Sequence, residues 1–179
     1  MRKLALTLAN LTLLAVTAQA TTLARLSLSD MILQSTAIVH AKVTGSYTAV
    51  RGVDIFTYYR LQVSETLKGS VQPGAQVEVA VPGGSANGIR QVVPGAPSLE
   101  TGGSYVLFLW TSRSGLTQVI GLSQGLFRMT KDSSGTAIVI RPASTELMVD
   151  RNGNVVTDKT TTLRWSDVRD QIRQTLGSN

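Results

Sequence analysis

Short segments in which apolar and polar side chains alternate dominate this sequence and determine its fold class. Residues 37–43, 58–63 and 77–81 alternate with a period of two, which places their apolar side chains on one face of a half-buried β-strand. Residues 105–110 are apolar at every position, as expected of a strand buried on both faces. The same reasoning predicts further short strands at 117–122, 126–130, 137–140, 147–149 and 155–156.

Helix signals occur near the two ends of the strand-rich region. Ser29, followed by Asp30 and three apolar residues, predicts a short helix with Ser29 as its N-cap. Ser166 predicts the N-cap of a C-terminal helix, whose apolar face contains Val168, Ile172 and Leu176. Many short strands with one helix at each end predict a mainly β fold, a small closed or partly open antiparallel barrel of the OB type.

The first twenty residues predict export. Arg2 and Lys3 precede an apolar stretch over residues 4–16, and Ala18-Gln19-Ala20 matches the small-x-small pattern of signal-peptidase sites. The apolar stretch is shorter than the roughly 20 residues of a membrane-spanning helix, which favours cleavage over anchoring. The mature chain is therefore expected to begin at Thr21 and to be periplasmic or extracellular, with no stable membrane insertion.

The composition narrows the chemistry. The chain has no Cys and a single His, which excludes disulfides, thiol nucleophiles and multi-histidine metal sites. Without Arg2 and Lys3, 15 basic residues face 11 acidic ones, and this mild surplus favours anionic partners such as envelope polymers. Export argues against nucleic acid. The length of residues 21–179 predicts a single domain, with one candidate boundary near Arg141-Pro142 that would make 142–179 an appendage.

The order of segments over residues 30–110 resembles a known family. The strand at 37–43 is followed by a strand that ends in Leu67-Lys68-Gly69, by a third at 77–81, and by a Leu-x-x-Gly-x-x-Tyr pattern at 99–105. This order is similar to that of the netrin-like domain, the barrel shared with tissue inhibitors of metalloproteinases. The resemblance implies a barrel used as a binding surface.

The resemblance also implies an alternative function, the inhibition or modulation of a secreted protease. Members of the family fix their N-terminus with Cys residues and the inhibitors present it to the protease zinc. This chain has no Cys, so nothing locks Thr21 and Thr22 in such a position. The alternative is therefore weakened.

Residues 121–125 fit Gly-x-Ser-x-Gly, the nucleophile elbow of serine hydrolases. That elbow needs a helix after the Ser and a base His, whereas here a strand is predicted and no His follows Ser123. The remaining order, His40, Asp54 and Ser123, is formally compatible with a triad. A short barrel with no second domain lacks the cleft that a triad needs, so Ser123 hydrolysis is the least favoured hypothesis and the protein is expected not to be an enzyme.

Residues 150–158 partly match a calcium-binding loop. The oxygen-bearing residues fall at loop positions 1, 3, 5 and 9, but positions 6 and 12 lack the Gly and Glu of the signature. A type I′ hairpin around Asn152-Gly153 explains the same residues without an ion. No metal site or cofactor is therefore expected.

Residues 82–103 contain six Gly and three Pro and are predicted to form a long loop. Ser85, Asn87, Arg90 and Gln91 concentrate hydrogen-bonding groups in one part of it. Binding residues often lie on loops carried by a rigid scaffold. These four residues are the first candidate binding site.

A second candidate surface combines aromatic and basic side chains on two paired strands. Its predicted members are Arg51, Phe56, Tyr58, Arg60, His40 and Lys42. Aromatic rings beside cations can stack on sugars, bases or protein side chains, although strands are rich in aromatics for structural reasons as well. The sequence thus favours an exported, non-enzymatic binding module that recognises a protein or an envelope polymer through loop 82–103, with Tyr58 and Arg60 as further contacts.

Overall fold

The computed structural model describes residues 22–178, so the predicted signal segment and Thr21 lie outside the described residues. The fold is mainly β with two helices. In chain order the elements are β1 (Thr22–Ala24), α1 (Leu28–Gln34), β2 (Ala37–Arg51), β3 (Asp54–Lys68), β4 (Gln76–Pro82), β5 (Gly84–Ala86), β6 (Ile89–Gln91), β7 (Ser104–Thr111), β8 (Thr117–Val119), β9 (Leu126–Lys131), β10 (Ala137–Arg141), β11 (Leu147–Val149), β12 (Val155–Val156), β13 (Thr161–Arg164) and α2 (Trp165–Gly177).

One eight-stranded antiparallel sheet organises the molecule. Its strands run in the order β13-β10-β9-β7-β2-β3-β4, and β8 pairs with the end of β7. Within residues 22–178 no strand pairing closes this sheet, because β4 pairs only with β3 and β8 only with β7. Two smaller sheets complete the fold, β1-β11-β12 and the hairpin β5-β6.

The part of the main sheet that lies beneath the helices is buried on both faces. One face carries a cluster that includes Val39, Leu61 and Leu107, and the other carries Ile38, Val106 and Phe108 beneath the helices. This arrangement confirms that the apolar run in β7 is buried on both faces, up to Leu109. The expectation of a half-buried strand at 37–43 is wrong, because α1 and α2 cover the face that carries Ile38.

The N-terminal helix begins earlier than predicted. Its N-cap is Ser27 rather than Ser29: the Ser27 hydroxyl accepts from the Asp30 N–H, and the Asp30 carboxylate accepts from the Ser27 N–H. This capping box satisfies two backbone donors at once. Hydrogen bonds to the Asp30 carboxylate from the Ser27 hydroxyl, and then from the Ser27 N–H, lower the pKa of Asp30. The helix ends above β3, where Lys68 Nζ donates to the carbonyl groups of Ile32 and Leu33 at 2.7 and 3.0 Å.

The C-terminal helix also differs from prediction at its first residue. It begins at Trp165, and the N-cap Arg164 makes no side-chain capping bond. Ser166, the predicted cap, donates instead to the carboxylate of Asp167. The predicted apolar face is confirmed, since Val168 and Ile172 are buried and Leu176 packs beside them.

The last third of the chain is bound into the main sheet. β13 pairs with β10, and α2 packs on the same face as α1. Arg141, at the end of β10, makes a bidentate ion pair with Asp158 at 2.6 and 2.9 Å. β11 and β12 form the hairpin that carries Asn152-Gly153 and pairs with β1.

Candidate functional site

The predicted long loop contains a hairpin. β5 and β6 pair across Asn87-Gly88, and both turn residues have positive φ, 52° and 76°, as a type I′ turn requires. The expectation of an unstructured loop is therefore wrong for residues 84–91. Asn-Gly is a strong hairpin signal, but the flanking residues do not alternate between apolar and polar side chains, so periodicity did not reveal the strands.

Side chains fasten this hairpin to the main sheet. Gln91 Oε1 accepts from the backbone N–H of Ile55 at 2.6 Å, and Gln91 Nε2 donates to Asp54 Oδ1 at 3.2 Å. Thr48 donates to the carbonyl of Ser85 at 2.6 Å, and Thr57 donates to that of Gly83 at 2.9 Å. The hairpin is thus held against β2 and β3 from both of its ends.

The four predicted loop residues have different environments. Ser85, Asn87 and Arg90 are exposed, whereas Gln91 is half-buried in the contacts just described. Asn87 occupies the turn, which leaves Ser85 and Arg90, directly opposite each other across the hairpin, as the side chains free to contact a ligand. The hairpin groove beside them has a volume of about 450 Å³ and is lined by Thr57, Tyr59, Arg90, Gln91, Val93 and Ser98 among others.

Tyr58 and Arg60 lie on the outer face of the β2–β3 ribbon, where they join two residues that sequence reasoning missed. The rings of Tyr58 and Tyr47 stack with centroids 5.1 Å apart, and the Arg60 guanidinium lies 5.0 Å from the Tyr47 centroid. Glu78 accepts from the Tyr47 hydroxyl at 3.2 Å and pairs with Arg60 at 3.5 Å. The cross-strand register alone brings Tyr47 and Glu78 to this place.

Phe56 packs beside Tyr58 with its ring tilted by 50° and its centroid 6.2 Å away. Only the rings of Tyr47 and Tyr58 stack face to face, so each covers one face of the other. A flat aromatic platform of the predicted kind would present ring faces outward, so these contacts chiefly stiffen the ribbon. The hydroxyl groups, together with Arg60 and Glu78, are what this surface offers a ligand.

The other predicted members of the aromatic–basic surface do not join it as one patch. Arg51 extends from the ribbon's turn to the carbonyl of Ser114, at 3.1 Å. His40 is half-buried with its ring 6.1 Å from that of Trp165, so the interpretation of His40 as a surface residue is wrong. Burial lowers the pKa of His40, and the nearby Glu65 carboxylate partly opposes this effect.

The Gly-x-Ser-x-Gly segment forms a turn between two strands, β8 and β9, and not the strand-to-helix elbow of a hydrolase. Gly121 has a φ of 61°, and a Cβ on Gly125 would lie 3.0 Å from the Cβ and the carbonyl oxygen of Phe108. Ser123 lines a cleft of about 410 Å³. His40 Nε2 instead lies 2.7 Å from Ser104 Oγ.

Gln124, beside Ser123 in the motif, has a structural role that the motif does not indicate. Its buried amide accepts from the Leu26 N–H at 2.8 Å and donates to the Ala24 carbonyl at 2.9 Å. It therefore fastens the segment after β1 to the β8–β9 turn. Gln124 therefore stabilises the fold.

The calcium-like segment forms a hairpin turn that uses its own carboxylate. Asp150 Oδ1 accepts from the N–H groups of Asn152 and Asn154 at 2.8 and 2.9 Å, and hydrogen bonds from Asn154 lower the pKa of Asp150. Gly153 has a φ of 83°, whereas Asn152 is not among the described residues with positive φ. The predicted hairpin is confirmed, but its turn is not type I′, which needs positive φ at both central residues.

The Ser123 cleft contains one ion pair, Arg128 to Glu100 at 2.8 Å, between β9 and the loop after β6. Glu100 also donates its backbone N–H to the Tyr105 hydroxyl at 3.0 Å. These contacts join the two walls of the cleft.

No helix within residues 22–178 is long and apolar enough to cross a membrane. Comparisons of the chain with models of protein families, with curated proteins and with solved structures find no match.

Proposed function

We propose that the protein is an exported, non-enzymatic binding module whose ligand is an anionic envelope polymer. The contact site is the hairpin groove together with Ser85 and Arg90. The observation that carries the proposal is the fastening of the β5–β6 hairpin by Gln91, Thr48 and Thr57. A loop whose only role was to connect β4 to β7 would not need this set of bonds.

A fastened hairpin favours binding because its ordering cost is met on folding rather than when the ligand arrives. Arg90 then presents a guanidinium, which suits carboxylate and phosphate groups because it can donate two parallel hydrogen bonds. Ser85, opposite Arg90, adds a hydroxyl that both donates and accepts. The positive net charge expected of the mature chain increases the rate of encounter with an anionic polymer.

We extend the proposal to the scaffold, as a partly open barrel of the netrin-like kind formed by a single domain over 21–179. β4 and β8 line one narrow cavity of about 230 Å³, to which they contribute Ala80, Val81, Gln118 and Val119. The free edge of β4 thus approaches β8 without pairing with it. The pairing of β13 with β10 and the packing of α2 support a single domain.

The test measures retention of the exported protein on purified, insoluble peptidoglycan and on an immobilised anionic polysaccharide. Parent protein is expected to bind at low salt and to be released as salt rises, whereas Arg90→Ala binds about tenfold more weakly because it loses charge-assisted hydrogen bonds of about 1.5–3 kcal/mol. Arg173→Ala, an exposed Arg on α2, is the matched control. Equal binding by both variants would overturn the proposal.

A stoichiometric complex with a secreted protease, without polymer binding, would instead favour the modulator hypothesis. Ser123→Ala provides the parallel test of hydrolysis. We expect it to leave every measured property unchanged.

A further inference from the structure

Three turns that are distant in sequence converge at one end of the molecule. The β2–β3 turn contacts the β7–β8 turn through Arg51, whose Nη2 donates to the Ser114 carbonyl. The same β2–β3 turn contacts the β5–β6 hairpin, since Gln91 bonds to both Asp54 and Ile55. We call this surface, residues 50–54, 85–92 and 112–116, the three-turn tip.

The three-turn tip concentrates exposed aliphatic side chains. Val53 is 94% exposed, Val92 is 70% exposed, Ile89 is 64% exposed and Val50 is 49% exposed. A monomeric protein gains nothing in stability from apolar side chains held in water, and contiguous exposed apolar surface marks an interaction site. Trp110, 46% exposed, stands two residues before the third turn.

The charges of the three-turn tip have one predominant sign. It carries Arg51, Arg90 and Arg113, against a single acidic residue, Asp54. The Asp54 carboxylate accepts from Gln91, within the tip itself. The three guanidinium groups and the four aliphatic side chains together complement a ligand that has an apolar interior and an anionic boundary.

From this combination we infer that the three-turn tip docks the protein onto an anionic lipid bilayer. The aliphatic side chains enter the boundary between headgroups and acyl chains, and the guanidinium groups pair with lipid phosphates. Trp110 lies at headgroup depth, where indole rings are enriched. The inference goes beyond the proposed function, since its occupant is a lipid bilayer rather than a polymer and it adds the β2–β3 and β7–β8 turns to the hairpin, whose Ser85 and Arg90 belong to both surfaces.

The test is co-sedimentation of the exported protein with vesicles of phosphatidylglycerol and phosphatidylcholine, and with vesicles of phosphatidylcholine alone. We expect binding to the anionic vesicles, weaker binding to the neutral ones, and release by salt. Val53→Asp is expected to bind about tenfold more weakly, because a buried aliphatic side chain is lost. Arg113→Gln is expected to bind about fivefold more weakly, because one basic contact is lost.

Two variants outside the tip are matched controls. Val155→Asp changes another highly exposed valine, 67% exposed, and Arg173→Gln changes another exposed arginine. Both are expected to bind as the parent does. Absence of binding to anionic vesicles, or equal losses in tip and control variants, would overturn the inference.

Polymer retention of Val53→Asp is measured on the same preparations. Retention at the parent level, together with loss of vesicle binding, supports a lipid contact through Val53 that polymer binding does not use. If the parent is retained on polymer but sediments with no vesicle, the lipid inference fails and the proposed function stands.

Discussion

Asp158 and Arg141 form the most deeply buried ion pair of the described residues: the Asp158 side chain is 2% exposed and that of Arg141 is 11% exposed. Two hydrogen bonds join them, and Asp158 also accepts from the backbone N–H of Ser144 at 2.8 Å. The pair connects the end of β10 to the segment before β13. The ion pair thereby fixes both ends of the connection between β10 and β13, which contains the β11–β12 hairpin.

Asp158→Ala is expected to lower the free energy of unfolding by about 3–5 kcal/mol, because it leaves the Arg141 guanidinium buried without its partner. Urea denaturation of the purified protein measures the loss. Asp170→Ala, which removes an exposed pair with Arg173, is the control and is expected to change stability by less than about 0.5 kcal/mol. Equal losses for the two variants would contradict the role assigned to the buried pair.

Stability is expected to depend on pH through the same carboxyl. Hydrogen bonds from Arg141 lower the pKa of Asp158 from 3.8 to about 2, so the folded state favours the ionised form. The pair's contribution is complete above the unfolded pKa and is lost as pH falls through 4 toward 2, by about 2 kcal/mol. Urea midpoints of the parent measured across this range should fall more steeply than those of Asp158→Ala.

Gln91→Ala is expected to weaken polymer binding because Gln91 fastens the hairpin that presents Ser85 and Arg90. The substitution leaves the buried N–H of Ile55 without an acceptor, a cost of about 1–3 kcal/mol, and frees the β6 end of the hairpin. Amide hydrogen exchange of Ile55 and polymer retention report the two effects. Gln72→Ala, at an exposed position in the β3–β4 turn, should alter neither.

Gln124→Ala is expected to release the segment around β1. It removes both hydrogen bonds to Ala24 and Leu26, and trypsin should then cleave after the exposed Arg25 at a higher rate. Ser123→Ala, at the adjacent position, should leave the cleavage rate unchanged. Rapid cleavage in both variants would show that the turn, rather than the Gln124 amide, holds the segment.

The strands could be predicted from the sequence because the alternation of side chains is a local property. Tyr59, Leu61 and Val63 had to face the core once the period of two was recognised, and they are buried. Both helix N-caps lie two residues before the predicted Ser, because two Ser residues compete for the cap of α1 and the cap of α2, Arg164, makes no side-chain capping bond. At α1 the decisive feature is the reciprocal pairing of Ser27 with Asp30, which the nearer Ser29 obscured.

The candidate site was less accessible to sequence reasoning because it depends on contacts between distant segments. Ser114 lies 63 positions from Arg51 and Gln91 lies 36 positions from Ile55. No local sequence pattern predicts that these turns are in contact. Tyr47 escaped notice for the same reason, since its partner Glu78 is 31 positions away.

The bonds from Gln124 to the segment after β1 have a consequence for the order of folding. They join residues 100 positions apart, and β1 pairs with β11 still farther along the chain. Contacts of such high sequence separation form late and slow the approach to the native state. A chain synthesised from its N-terminus must therefore keep residues 22–26 unpaired until the last third arrives, and during that interval this segment is open to proteases and chaperones.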